Sequence, residues 1–443
     1  MRKTTKTIVG IFSILAISFS IISCSFEEQI DPNAPSLESV LENASEQQLN
    51  NIAVGTESAM RSGLGIRTTA SGTMARELYL FNADPRNTEV LLGKNGSTLS
   101  NGDFYATGPW SGSYKAIKNA NILIVATENA TKAVSSEEKN GYLGFAKTVI
   151  GYELIEVLKM YGKARVDVAD ENNLGPLLEF DEAMTSIRTL IDEAKANLDA
   201  AGDEFAFVLA GFTGFNTPSS FAKFNRAVAA LAAVYAGDKS AAKTHLSNSY
   251  FDINGDLLMG PMHVFSQNSG DITNPIFKGA STIENPNNSD QIIVHNSWIN
   301  DAETGDIRVV SKSAPRPDPS AQDDLNGTHE TSLYATNTSP IRILRNEELI
   351  LLYAEANIGI DANEALVALN KIRTSFNLPE YSGATDNASL VTELLKQRRY
   401  SLWCENHRMF DLRRYNLSSS LPIDRIGDVV YNIMPIPFSE NIE

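Results

Sequence analysis

The sequence predicts a mainly α fold, tetratricopeptide-like helix pairs forming an α-α superhelix, with a large irregular loop-rich insert carrying short strands. Three observations lead there. Apolar residues recur at helical spacing through several long segments. Neighbouring segments are joined by short Gly- and Asp-bearing turns. They place small residues (Ala229 and Ala233; Ala354 and Ala356) where paired helices would cross. Two stretches, 81–108 and 250–340, lack this period and collect Asn, Gly, Asp and Pro. No strict repeat of about 34 residues is present, so three or four degenerate pairs are expected.

The elements follow in order. "MRKTTK" is a basic start, and "IVGIFSILAISFSIIS" is an apolar run too short for a comfortable membrane span. The run ends at Ser23-Cys24, which resembles a bacterial lipobox. Residues 1–23 are therefore expected to be a lipoprotein signal peptide, with Cys24 the lipid attachment site. Residues 24–45 read as a polar, lipid-anchored tether, and 46–443 as the folded domain. No later segment is apolar enough to cross a membrane, so the lipid would be the anchor.

Within the domain, "GPWSGSYKAIKNANILIVATENA" places Trp110, Tyr114, Ile117 and Asn121 on one helical face. "NGYLGFAKTVIGYELIEVLKMYG" reads as a long helix stopped by Gly162. Ile187, Ile191, Ala194 and Leu198 stripe the next helix. "SSFAKFNRAVAALAAVYAGDKSAAKTHLSN" is a helix hairpin broken at Gly237-Asp238, and "RNEELILLYAEANIGIDANEALVALNKIRTSFNLP" is another, broken at "GIDAN". Helix pairs thus lie within about 46–248 and 341–415, flanking an irregular ligand-side region of about 250–340. There "QIIVH" and "IRVV" are the strand candidates.

Composition narrows the function. The formal charge is −17 over 443 residues, and no block of Lys and Arg suggests a phosphate track, so nucleic acid is not an expected partner. A strongly anionic ligand is disfavoured unless arginines gather locally. Of the two cysteines, one is the lipid site, leaving Cys404 without an intramolecular partner. The sequence has no H-E-x-x-H, C-x-x-C, G-x-S-x-G, P-loop or G-x-G-x-x-G. "DINGDLLMGPMH" opens like a calcium loop, but Leu257 occupies the glycine position and His263 the bidentate glutamate position, so it reads as a polar turn. No metal, cofactor or catalytic residue is assigned.

"RRYSLWCENHRMFDLRRY", residues 398–415, concentrates a thiol, an imidazole, carboxylates and arginines. On a helix, Glu405 and Arg408, His407 and Asp411, and Arg408 and Asp411 stand at pairing distance. Cys404 between Trp403 and Glu405 reads as a small buried hydrophobe, not a nucleophile. The expectation is a structural latch of charges and aromatics.

Read together, "RILRNEELILLYAEANI", "ALNKIRTSFNLP", "LLKQRRYSLWCENHRMFDLRRY" and the closing "IMPIPFSEN" resemble the ordered motifs of the SusD/RagB-like outer-membrane lipoproteins of Bacteroidetes. "AIKNANILI" after Trp110 and Tyr114, and the helix ending "KMYGKA", are similar to that family's first helices. Departures are present. Gln397 and Ser401 stand where glutamates are usual, Asn406 where glycine is, Tyr415 where tryptophan is, and Cys404 where an aromatic or small residue is. "YGKARVD" lacks the common G-D-[I/V]-P.

The resemblance implies a non-enzymatic protein on the outer membrane, exposed at the cell surface. It would capture an oligomeric nutrient, most often an oligosaccharide, and act as a lid on a SusC-like TonB-dependent transporter. Glu27-Glu28 after Cys24 resembles the surface-export signal of such lipoproteins. Sugar recognition needs aromatic platforms with planar polar groups at their edges. The candidates are Trp298 in the insert, and Tyr79, Asp84, Arg86, Asn101, Phe104 and Tyr105 around the first loop region. Two alternatives stand beside this: a surface glycoside hydrolase or other hydrolase, and a helical-repeat scaffold that binds only protein.

Overall fold

The computed structural model describes residues 37–130, 134–285 and 290–440. Cys24 and the leader read as a signal peptide lie outside these residues.

The first half supplies α1 (Leu37–Asn43), α2 (Glu46–Ala59), α3 (Leu64–Met74), β1 (Leu78–Phe81), α4 (Phe104–Asn129), α5 (Ser136–Tyr161), β2 (Lys163–Arg165), β3 (Leu177–Glu179), α6 (Phe180–Asp199), α7 (Pro218–Tyr235) and α8 (Lys239–Ser247). Helix α1 falls within the segment read as tether and buries none of its residues. The irregular region holds β4 (Met262–His263), β5 (Gln291–Val294), α9 (Asn296–Asn300), α10 (Ile307–Lys312), β6 (Ser313–Gln322), β7 (Leu325–Thr331) and β8 (Ile341–Arg342). Four helices follow: α11 (Asn346–Asn357), α12 (Ala362–Ser375), α13 (Asn387–Ser401) and α14 (Arg408–Arg414).

Local chemistry sets the ends of these helices. Ser135 and Glu138 form a capping box at the start of α5, and Thr217 with Ser220 does the same for α7, with Pro218 in the first turn. Gly162 ends α5 at φ 70°, a left-handed position that glycine adopts without a Cβ clash. Asp238 caps α8 just after Gly237, so the hairpin breaks where the sequence predicts.

Consecutive helices pack as a stack: α2 on α4, then α5, α6, α7, α8, α11 and α12, with α13 against both α11 and α12. The insert leaves after α8 and returns at α11, and those two helices pack on each other. The predicted stripe Ile187, Ile191, Ala194 and Leu198 is buried on α6. Burial of each large aliphatic chain stabilises by about 2 kcal/mol. The close approach of α5 to α6 depends on glycine. A Cβ on Gly144 would meet Leu198 at 2.6 Å, and one on Gly151 would meet Ile191 at 2.5 Å.

The two non-periodic regions are one structure. Strand β1, which leads into the first, pairs antiparallel with β5, from the second, in the sheet order β1-β5-β7-β6. Here the sequence reading needs two corrections. "IRVV" is helix α10, because Asp306 caps it by accepting from the Arg308 amide at 3.0 Å. "SAPRPDPSAQ" is the long strand β6, unforeseen because of its three prolines. Strand β6 is an edge strand, where one row of ladder bonds is dispensable and proline is tolerated. A two-residue turn, Asp323-Asp324 with φ 53° and 61°, joins it to β7.

Candidate functional site

The loop after β1 builds a compact polar and aromatic patch. Asp84 begins a single 3-10 turn and accepts from the Arg86 amide at 3.0 Å. The Arg86 guanidinium grips the same carboxylate with Nε at 2.9 Å and Nη2 at 2.7 Å, and reaches Asp103 with Nη1 at 2.7 Å. Asp103 is the residue before α4, whose first residue Phe104 lies under the guanidinium at 4.4 Å from ring centroid to Cζ. Tyr105 packs on Phe104 with ring centroids 4.1 Å apart. The hydrogen bonds from Arg86 hold the Asp84 carboxyl below its usual range. Burial, with Asp84 adding to it, raises the Tyr105 phenol.

The patch continues onto the insert. The Asn82 amide donates to Asp290 at 3.3 Å, and Gln322 donates to the Asn82 carbonyl at 2.8 Å. Lys278 pairs with Asp290. The result is a phenyl ring sandwiched between a fixed guanidinium and Tyr105, which leaves its edge at the surface among carboxylates and can meet an apolar patch while the polar groups hydrogen-bond hydroxyls.

The predicted residues divide accordingly. Asp84, Arg86, Phe104 and Tyr105 come together; Phe104 is 36% exposed, whereas Tyr105 supports it from below at 3%. The Asn101 carbonyl accepts from the Phe438 amide at 3.1 Å, tying this loop to the C-terminal segment. Two expectations are corrected. Trp298 is fully enclosed between Tyr400 and Trp403, at 5.1 and 5.2 Å, and its indole N–H donates to the Arg399 carbonyl. It presents no ring face to a ligand. Tyr79 is buried on β1, stacked on Phe81 at 5.4 Å and against His295 at 5.0 Å. Asn82, Asp103, Lys278, Asp290 and Gln322 were missed. Asp103 could have been found as the N-terminal flank of α4 had the helix been started before its internal Pro109. The others meet through β1–β5 pairing, which no local pattern announces.

The stretch 398–415 lies away from this patch and is built inward. Helix α13 stops at Ser401, and Cys404 and Asn406 take φ 63° and 60°. The local pairs expected on one continuous helix therefore do not form. Glu405 pairs instead with Arg345, His407 faces Glu348 at 3.6 Å, and Asp411 takes Arg398 at 2.7 Å and Arg414 at 3.0 Å. Arg414 also grips Glu355, where the Tyr415 hydroxyl donates at 2.8 Å. Gln397 and Ser401 receive Arg308 at 2.7 and 3.0 Å, while Asp306 neutralises that arginine. Cys404 is buried, and burial raises its thiol well above the ordinary value, the reverse of what a nucleophile needs. Burial also drives the His407 imidazole down, so it stays neutral. The latch is architectural. The calcium-like turn is likewise spent on structure: Asp252 and Asp256 accept from the Asn254 and Leu258 amides, both at 2.9 Å.

Residues 320–432, which contain this latch, match the model of the SusD family. Over these residues the chain is similar to the SusD family. The fold agrees over nearly its whole length. A SusD superfamily protein from Bacteroides vulgatus aligns with TM-score 0.63 at 16% identity, covering 89% of this chain and 96% of that one. Surface glycan-binding protein A from Bacteroides thetaiotaomicron gives 0.67 at 14%, with the same 89% and 96%. A laminarin-binding SusD-like protein gives 0.64 at 15%, covering 89% and 97%. No curated protein matches. The helix pairs and the sheet-bearing insert of this chain thus share the fold of those solved structures.

Proposed function

We propose that this chain is a cell-surface lipoprotein of the outer membrane, held by lipid on Cys24. It captures an oligomeric nutrient, a glycan, and delivers it to a SusC-like TonB-dependent transporter. The observation that carries the reading is the fold-wide likeness to surface glycan-binding proteins, joined to a SusD-family signature over 320–432. The signal peptide and Ser23-Cys24 of the sequence support the anchoring. The Arg86–Phe104 patch supports the capture, since it lies at the surface and sets an apolar ring edge among fixed planar polar groups. The reading is of binding without catalysis: the one stretch with the composition of an active site is a buried latch.

A panel of soluble glycans run in affinity gels, with released reducing ends measured in parallel, tests this. One class of glycan is expected to retard the protein without being cleaved. Phe104→Ala and Arg86→Ala are each expected to weaken that binding, Phe104→Ala by about two- to tenfold, because an aromatic contact is worth about 0.5–1.5 kcal/mol beyond its area burial and each 1.4 kcal/mol is tenfold. Cleavage of the bound glycan would move the protein to the hydrolases. Absence of any glycan ligand, with co-purification of protein partners alone, would leave the scaffold reading.

A further inference from the structure

A second groove of about 530 Å³ opens at the seam between the insert and the C-terminal helices. None of its lining residues belongs to the Arg86 patch. Its volume is that of a small-molecule cleft. Leu258, Leu333 and Phe376 wall it, and Leu258 is 52% exposed at the rim. The polar floor is unevenly used. Arg345 is consumed by Glu347 at 2.8 Å, by Glu405 and by the Ser401 carbonyl at 2.6 Å. Lys312 is consumed by the Tyr400 and Ser401 carbonyls.

Arg342 is not consumed. Its guanidinium makes one hydrogen bond, from Nη1 to the Gly260 carbonyl at 3.1 Å, and no carboxylate among the described residues comes within 4.0 Å of it. Nε and Nη2 are left as a planar pair of donors without a protein acceptor. Tyr334 lines the same groove, and its hydroxyl also has no hydrogen-bond partner among the described residues. Tyr334, Arg342 and Glu405 also line a smaller adjoining cavity of about 40 Å³. That volume is enough for a water molecule, so the floor is not packed solid.

We infer that this groove is a ligand site for the carboxylate end of a hydroxylated ring, the uronic-acid class of sugar. A guanidinium fork matches a carboxylate in plane. The apolar walls take the ring's C–H face, and the Tyr334 hydroxyl meets a ring hydroxyl. A monoanion is selected over a dianion because Glu405 and Glu347 lie under the floor and the whole chain is negative. The inference goes beyond the capture patch and does not depend on it.

The test is calorimetric titration of the detergent-solubilised full chain with D-glucuronate and with D-glucose. Glucuronate is expected to bind at least tenfold more tightly than glucose, and less tightly as salt is raised. Arg342→Gln is expected to remove that preference, and Leu258→Trp, which fills the rim, to abolish binding. Arg86→Ala is expected to leave glucuronate binding unchanged. Equal affinity for the two sugars, no heat with glucuronate at millimolar concentration, or retention of the preference in Arg342→Gln would each overturn the inference. Loss in Arg86→Ala with none in Arg342→Gln would also overturn it, while leaving the proposed function standing. Should Arg342→Gln fail to fold, Leu258→Trp decides alone: unchanged binding there overturns the site.

Discussion

Asn406 stands where the SusD-like hallmark has glycine, and its backbone explains the alternation. At φ 60° it occupies the left-handed region, open to glycine and, among the rest, most readily to asparagine. Asparagine adds a bond that glycine lacks, from Nδ2 to Glu156 at 3.0 Å. Burial pushes the Glu156 carboxyl up, but Lys159 and Arg67 outweigh it and keep the group ionised, so this bond is made to a charge. Losing it costs about 2 kcal/mol, and a Cβ without a compensating polar group in this conformation costs about 1 kcal/mol more. Asn406→Gly should therefore destabilise by about 2 kcal/mol and Asn406→Ala by about 3 kcal/mol in urea unfolding. Equal losses would mean that the backbone conformation contributes nothing.

At the scale of elements, α13 and α14 are fastened by charge as well as by packing. Arg398 and Asp411 are both buried and meet at 2.7 Å, and Arg414 carries the chain of pairs on to Glu355 of α11. Removing one partner of a buried pair strands the other, at about 3–5 kcal/mol. Arg398→Met should fall near the low end, because Arg414 still neutralises Asp411. Adding Asp411→Leu should recover part of the loss. A double-mutant cycle by chemical denaturation is expected to give a coupling above about 1 kcal/mol. Strict additivity would show that the two helices are held by their apolar contacts alone.

These elements also show what a sequence can tell. The helices α5, α6, α7, α8, α11 and α12 were legible, because the 3.6-residue period and the end caps are local properties. The wiring of Glu405, His407 and Asp411 was not. The helix breaks at Ser401 through left-handed residues, and Arg345, Glu348 and Arg398 then reach these groups from other elements, while only Arg414 pairs with Asp411 locally. Trp298 misled for the same reason. An aromatic in a polar loop looks exposed until the helix that covers it, α13, is placed. Asp84, Arg86 and Phe104 could be picked out because they lie close in the chain, whereas Asp290 and Lys278 join them only through the sheet.

For the whole molecule, the balance of buried titratable groups sets how stability varies with pH. Burial raises Glu77 to about 8, and Glu153 and Glu348 to about 7, from 4.5 in an exposed chain. Between those values the folded protein holds more protons than the unfolded one, so these three groups make stability fall as pH rises. Burial lowers His263 to about 3 and His407 well below 6.5, so the folded protein holds fewer protons there and stability falls as pH drops below 6.5. The two trends oppose each other between about 4.5 and 6.5. Above 6.5 the histidines no longer act and the carboxyls decide. The protein should melt at a lower temperature at pH 8 than at pH 6.5. Glu77 alone should account for about 2 kcal/mol of the change, at about 1.4 kcal/mol per pH unit. Glu77→Gln preserves the shape of the side chain and removes its charge. Its melting temperature should therefore exceed that of the parent at pH 8 and approach it at pH 5. A variant that loses as much stability as the parent between pH 6.5 and 8 would show that Glu77 is already ionised in the folded protein at pH 6.5.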